Sequence, residues 1–172
     1  MVIRNIPFGL KILAESELIN KFIIIDILSY ILFKFFSKVT AIVDSKGIPL
    51  NVCLSSGNKH DCTIFKENQN MIGKARGKDA YFMADKGYDS EEIRDILREK
   101  EYIPIIPKRR SKKNKRSLKR SEIKIYRKRI IVENSFAWLK RNAKIDKIYE
   151  KSEESYMALL LLSISMLIYK RT

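Results

Sequence analysis

Residues 22–27, Phe-Ile-Ile-Ile-Asp-Ile, limit the fold more than any other stretch of this chain. A β-branched run of this kind has the character of a strand buried on both faces, and a sheet built around it needs helices above and below. Inside the run stands one carboxylate, Asp26. A buried aspartate is costly unless it is paired or binds a metal; an aspartate at a strand end that reaches water is the plainer alternative.

The segments that follow alternate between strand and helix character. Residues 38–44 read as a second strand, 45–49 as a turn in which Gly47 supplies the unusual dihedral, and 50–55 as a third strand closing a hairpin. Asp44 lies at that turn, where an aspartate makes local hydrogen bonds, and reads as structural. Residues 62–72 read as a helix, and His60, the only histidine, as a cap-adjacent residue, since no second His or Cys stands at metal-binding spacing. Residues 80–84, Ala-Tyr-Phe-Met-Ala, form a short apolar strand that runs straight into Asp-Lys-Gly-Tyr-Asp-Ser at 85–90. A carboxylate at the carboxyl end of a buried strand, with Gly87 opening the loop after it, is where open α/β sheets put their active sites. Ser90 is placed to cap a helix over 91–100, with Glu91 and Glu92 at its positive end. A last short strand at 103–106 contains Pro104, which assigns it to an edge. Helices over 126–140 and from 152 to about 169 complete the order, and Ser16 stands near the cap of a short N-terminal helix.

At 172 residues the chain is long enough for one domain with a core of its own. Its net charge of +15 is concentrated: residues 108–147 hold 17 Lys or Arg against Glu122, Glu133 and Asp146, which leaves 18 basic and 17 acidic residues elsewhere. In residues 108–120 nine of thirteen side chains are cationic, so self-repulsion opposes compaction there until an anion neutralises it. Such a field marks a nucleic-acid partner, an anionic membrane surface or a solvated tail. The apolar runs at 22–36 and 156–169 are shorter than the ~20 residues that span a bilayer, and residues 1–20 lack the small-residue cleavage site of a secretory signal. Cys53 and Cys62 have neither a disulfide framework nor zinc-site spacing, which fits inert thiols in a reducing compartment.

On a helix over 126–140, Tyr126, Arg129, Glu133 and Lys140 fall within about one 60° sector. Ile125, Val132, Phe136, Leu139 and Ala143 form an apolar stripe beside them, which presses the helix onto a core. A solvated charged face is the ordinary meaning of such a row. Three carboxylates from separate segments, Asp26, Asp85 and Glu133, are also the hard oxygen donors that two divalent cations require for phosphodiester chemistry.

From residue 38 to about 169 the chain resembles insertion-sequence transposases of the DDE superfamily. The matching stretches are 38–50 (Lys-Val-Thr-Ala-Ile-Val-Asp-Ser-Lys-Gly-Ile-Pro-Leu), 57–61 (Gly-Asn-Lys-His-Asp) and 84–90 (Ala-Asp-Lys-Gly-Tyr-Asp-Ser). To these is added the spacing Tyr, two residues, Arg, three residues, Glu, six residues, Lys, met by Tyr126, Arg129, Glu133 and Lys140. The resemblance implies an α/β domain with a ribonuclease H-like mixed β-sheet of about five strands flanked by helices. This catalytic domain would span 21–172, after a short segment at 1–20 and with a basic insertion at 107–121. It implies a DNA transposase that cuts and joins strands with Asp26, Asp85 and Glu133 as catalytic carboxylates holding two Mg²⁺ ions, Mn²⁺ being a substitute. Tyr126, Arg129 and Lys140 would handle the transposon end, and Lys108, Arg109, Arg110, Lys112 and Lys113 would bind DNA. The implied partners are transposon ends, target DNA and a second copy on DNA, in the cytoplasm at the nucleoid and away from membranes. Two departures stand out: residues 27–32, Ile-Leu-Ser-Tyr-Ile-Leu, replace the family's polar continuation, and only some twenty residues precede the first strand. They motivate an alternative, a truncated remnant that binds DNA without cutting it. Asp26 is preferred to Asp44 as first carboxylate because it ends the first strand, whereas Asp44 belongs to the hairpin.

Overall fold

The β-branched run opens β1 (Phe22–Leu32), the central strand of a five-stranded sheet. β2 (Phe35–Val43) and β3 (Pro49–Ser56) follow as antiparallel neighbours, and β4 (Tyr81–Met83) and β5 (Ile103–Ile105) add in parallel on the other side, in the order β3-β2-β1-β4-β5. The computed structural model describes residues 22–32, 35–75, 77–109, 118–143 and 152–171, with the backbone alone at 22, 24–32, 35–37, 143 and 171. The short helix expected around Ser16 lies outside the described residues. Pro104 is on an edge strand, as its missing N–H requires.

The turn between β2 and β3 shows what Asp44 does. Its Oδ1 accepts hydrogen bonds from the backbone amides of Lys46 at 2.9 Å and Ile48 at 2.8 Å. Gly47 takes the left-handed conformation that closes the turn (φ 76°). Asp44 is therefore spent on the hairpin.

Helices cover both faces of the sheet, so the chain is an α/β protein. On one face, α1 (Asp61–Glu67) and α2 (Glu91–Glu99) bury Phe65, Ile93 and Leu97 against Ile23, Ile42 and Phe82. On the other, α4 (Ile130–Ala143) and α5 (Glu153–Arg171) bury Val132, Phe136, Leu160 and Ile164 against Val39, Ala41, Val43 and Met83. At the start of α5 the Ser152 hydroxyl accepts from the Ser155 amide at 3.2 Å, the N-cap bond its sequence calls for. Ser90 occupies the N-cap position of α2 without a side-chain capping bond, contrary to expectation. The helix expected over 62–72 ends at Glu67 and tightens into a 3₁₀ turn at Gln69–Met71.

The helix expected over 126–140 is also interrupted. α3 (Arg120–Tyr126) passes into a 3₁₀ turn at Arg127–Arg129 before α4 begins. Backbone angles stay right-handed through the junction, so the direction of the chain is kept while the hydrogen bonds shorten from four residues to three. Three successive cations occupy this turn, and none of Arg127, Lys128 or Arg129 is in the core. Among the described residues no helix is long and apolar enough to cross a membrane.

Candidate active site

Two acidic positions are brought to one level by the register of the central strands. β1 and β4 run in parallel with Ile24 opposite Met83, and two residues further along each chain stand Asp26 and Asp85. Asp85 keeps an extended backbone (φ −73°, ψ 166°), so it continues the line of β4 before the chain turns. Adjacent strands lie about 4.8 Å apart. Position 26 is cross-strand from Ala41, which packs with Met83 in the core beneath α4 and α5, so positions 26 and 85 share the sheet face that α4 covers. Asp26 is not at a strand end, as expected from sequence; it is the fifth residue of the eleven in β1, because the apolar residues after it extend the strand to Leu32.

The turn after Asp85 is held from several sides while the Asp85 carboxylate is left open. Lys86–Tyr88 form one 3₁₀ turn, and the Tyr88 amide donates to the Asp85 carbonyl at 3.0 Å. Gly87 lies close to the start of α1: a Cβ there would lie 2.2 Å from Asp61 Oδ2, so a larger residue would have to displace the Asp61 side chain. The Cys62 thiol donates to the Gly87 carbonyl at 3.2 Å, and burial pushes its pKa up, which keeps the proton on. Asp89 closes the turn by binding Arg94 NH2 through Oδ1 at 2.6 Å and the Arg109 amide through Oδ2 at 2.7 Å. Burial raises the Asp89 pKa, and the Arg109 amide and Arg94 guanidinium outweigh it, so the carboxyl sits below the ordinary aspartate range. Asp85 itself is half-buried, and among the described residues its carboxylate makes no hydrogen bond or ion pair.

On the helical side, the 3₁₀ turn eclipses residues three apart, which brings Tyr126 and Arg129 into line. The Arg129 guanidinium lies over the Tyr126 ring, 5.8 Å from its centroid, and donates from NH2 to Glu133 Oε1 at 2.7 Å. Glu133 is exposed, and the guanidinium neutralises it as a cation would. Lys140 is half-buried further along α4. α4 is fixed to the sheet by Ser135, whose hydroxyl donates to the Gly47 carbonyl at 2.7 Å. Lys108 is exposed, whereas Arg109 points its Nε and NH2 toward the Lys86 and Gly87 carbonyls, each at 3.4 Å. Arg110, Lys112 and Lys113 lie outside the described residues.

The donors suit a hard divalent cation: carboxylate oxygens only, one of them half-buried and unpartnered. Among the described residues no three His, Cys, Asp or Glu side chains form a metal-holding cluster, and the Asp26 side chain is not among those described. Sequence reasoning passed over Asp89 and Arg94. The signal was a cation in the apolar stripe of α2, between Ile93 and Leu97.

An α/β sheet with an open carboxylate at the end of a central strand, level with a second acidic position, describes a class of metal-using acidic sites. Residues 32–168 match the family model described as the transposase DDE domain, which is most of the chain, and the chain belongs to that family. A Burkholderia cepacia protein named as transposase for insertion sequence element IS402 is 29% identical over 138 residues, covering 76% of this chain and 62% of that protein. The chain thus spans less than two thirds of that relative's length. Asp85, Tyr126, Arg129, Glu133 and Lys140 fall inside the family match, and Asp26 lies six residues ahead of it.

Proposed function

We infer that the chain cuts and joins DNA strands in transposition of an insertion sequence, with Asp26, Asp85 and Glu133 as its metal-holding carboxylates. The observation that carries this is the register of β1 and β4, which sets positions 26 and 85 level on the face that α4 covers. The strand order β3-β2-β1-β4-β5, antiparallel then parallel about β1, supports reading the domain as ribonuclease H-like over 21–172. A pair of Mg²⁺ ions, or Mn²⁺ in their place, would supply an activated water or 3′-hydroxyl and stabilise the leaving oxygen. The chain's own groups orient that chemistry. Asp85 offers an open carboxylate on a fixed turn, and Glu133, paired with the Arg129 guanidinium at 2.7 Å, would join it in holding the metal. Arg129 and Tyr126 would face a DNA phosphate and base, with Lys140 further along α4. The polycation at 108–120 draws DNA in and supplies most of the salt dependence. The working assembly is a homodimer on DNA, in the cytoplasm at the nucleoid.

The test is Mg²⁺-dependent nicking of DNA carrying the element's ends, comparing wild type with Asp85→Ala and Glu133→Ala. Both substitutions are expected to abolish nicking and to leave salt-sensitive DNA binding intact. Nicking that survives both sinks the assignment.

A further inference from the structure

We propose that Asp89 is a positioning residue, held by Arg94, which locks the Asp85 turn to the start of the basic segment so that metal and DNA meet in a fixed geometry. This rests on Asp85 being a metal ligand. One carboxylate ties three pieces of chain: its own turn, α2 through the Arg94 guanidinium at 2.6 Å, and the exit of β5 through the Arg109 amide at 2.7 Å. Arg94 is buried, at 8% of its exposed area, and its NH2 also donates to the Ile106 carbonyl at 3.1 Å. A guanidinium bonded at once to a carboxylate and to a strand-end carbonyl fixes their separation, because its donors are coplanar and rigid. Arg109 adds long contacts from its side chain to the Lys86 and Gly87 carbonyls, so the first residues past β5 grip the turn from outside. Every one of these bonds goes to backbone or to Asp89, and none engages the Asp85 carboxylate. That is the arrangement of a support for a ligand: it orders the backbone and leaves the coordinating oxygens open.

Groups bonded directly to a metal's ligands are worth about 10–100-fold in metal affinity or activity; Asp89 acts through the backbone of the turn, so the lower end of that range is expected. The probe is Mn²⁺, titrated directly by its paramagnetic resonance signal into wild type, Asp89→Asn, Asp89→Glu and Arg94→Lys. Nicking against Mg²⁺ concentration and DNA binding without metal are measured beside it. Asp89→Asn should raise the half-saturating metal concentration about tenfold or more, leave metal-free DNA affinity unchanged, and be partly rescued by Asp89→Glu. Arg94→Lys keeps the charge but loses the planar fork, and should fall between Asp89→Asn and wild type. Wild-type Mn²⁺ affinity in Asp89→Asn, or an equal loss of metal and DNA binding in all three variants, overturns the proposal. Asp85→Ala serves as the control for the underlying reading. If it binds Mn²⁺ as wild type does, Asp85 is not a ligand, and a defect confined to Asp89→Asn then cannot be credited to support of Asp85.

Discussion

Phe82 is the middle residue of β4, the strand that leads into the Asp85 turn. It is fully buried, with its ring edge-on to Phe65 at 6.0 Å and 86° and to Tyr102 at 5.6 Å and 69°. Truncating a buried Phe to Ala costs about 3–5 kcal/mol, from lost transfer energy and the cavity left behind. Each edge-to-face contact adds about 0.5–1.5 kcal/mol beyond area, which puts Phe82→Ala in the upper half of that range, at about 4–5 kcal/mol. For a chain of this size each kcal/mol moves Tm by about 2–4 °C, so the melting temperature should fall on the order of 10 °C. Phe82→Leu keeps most of the volume and loses both ring contacts, for a loss of about 1–2 kcal/mol. Urea melts of the two variants measure these values, and a cycle with Phe65→Leu isolates the ring pair at about 0.5–1.5 kcal/mol. A loss under about 2 kcal/mol for Phe82→Ala would mean that the face between β4, α1 and α2 is not close-packed.

Ser135→Ala removes the bond to the Gly47 carbonyl and should cost about 1–2 kcal/mol in a denaturant melt, since the hydroxyl is buried and its acceptor is left without it. Arg129→Ala should change stability by no more than about 0.5 kcal/mol, because the pair with Glu133 is an i,i+4 contact at a half-open surface, yet it should depress nicking. Asp89 has a lowered folded-state pKa, so its stabilisation is complete above the unfolded aspartate value of about 3.9 and is lost as pH falls through the lower folded value. Asp89→Asn should therefore flatten the acid limb of a stability-against-pH curve below about pH 4, and an unchanged limb would count against the Asp89 network.

Much of the architecture was legible from the chain, for identifiable reasons. The order of strands and helices follows from apolar runs punctuated by Gly, Pro and charge, and Pro104 marked its own strand as an edge. Asp85 stood out because polarity changes abruptly where β4 stops. Asp26 was misplaced within its strand for the opposite reason: residues 27–32 stay apolar, so no change of composition signals whether the strand ends or continues. The 3₁₀ turn at Arg127–Arg129 was invisible to periodicity, since three residues at 120° differ from three at 100° by only about 60°. Asp89 and Arg94 were missed because their partners, the Arg109 amide and the Ile106 carbonyl, are backbone groups brought near by the β5 crossover, and a backbone group has no letter in the sequence.

The most direct test of the central claim is where a divalent metal sits. Crystals of the protein soaked in Mn²⁺, with anomalous differences collected at the manganese edge, should show a peak about 2.0–2.3 Å from an Asp85 carboxylate oxygen and shared with Asp26. Manganese bound elsewhere, with the Asp85 carboxylate still open at saturating metal, would contradict it.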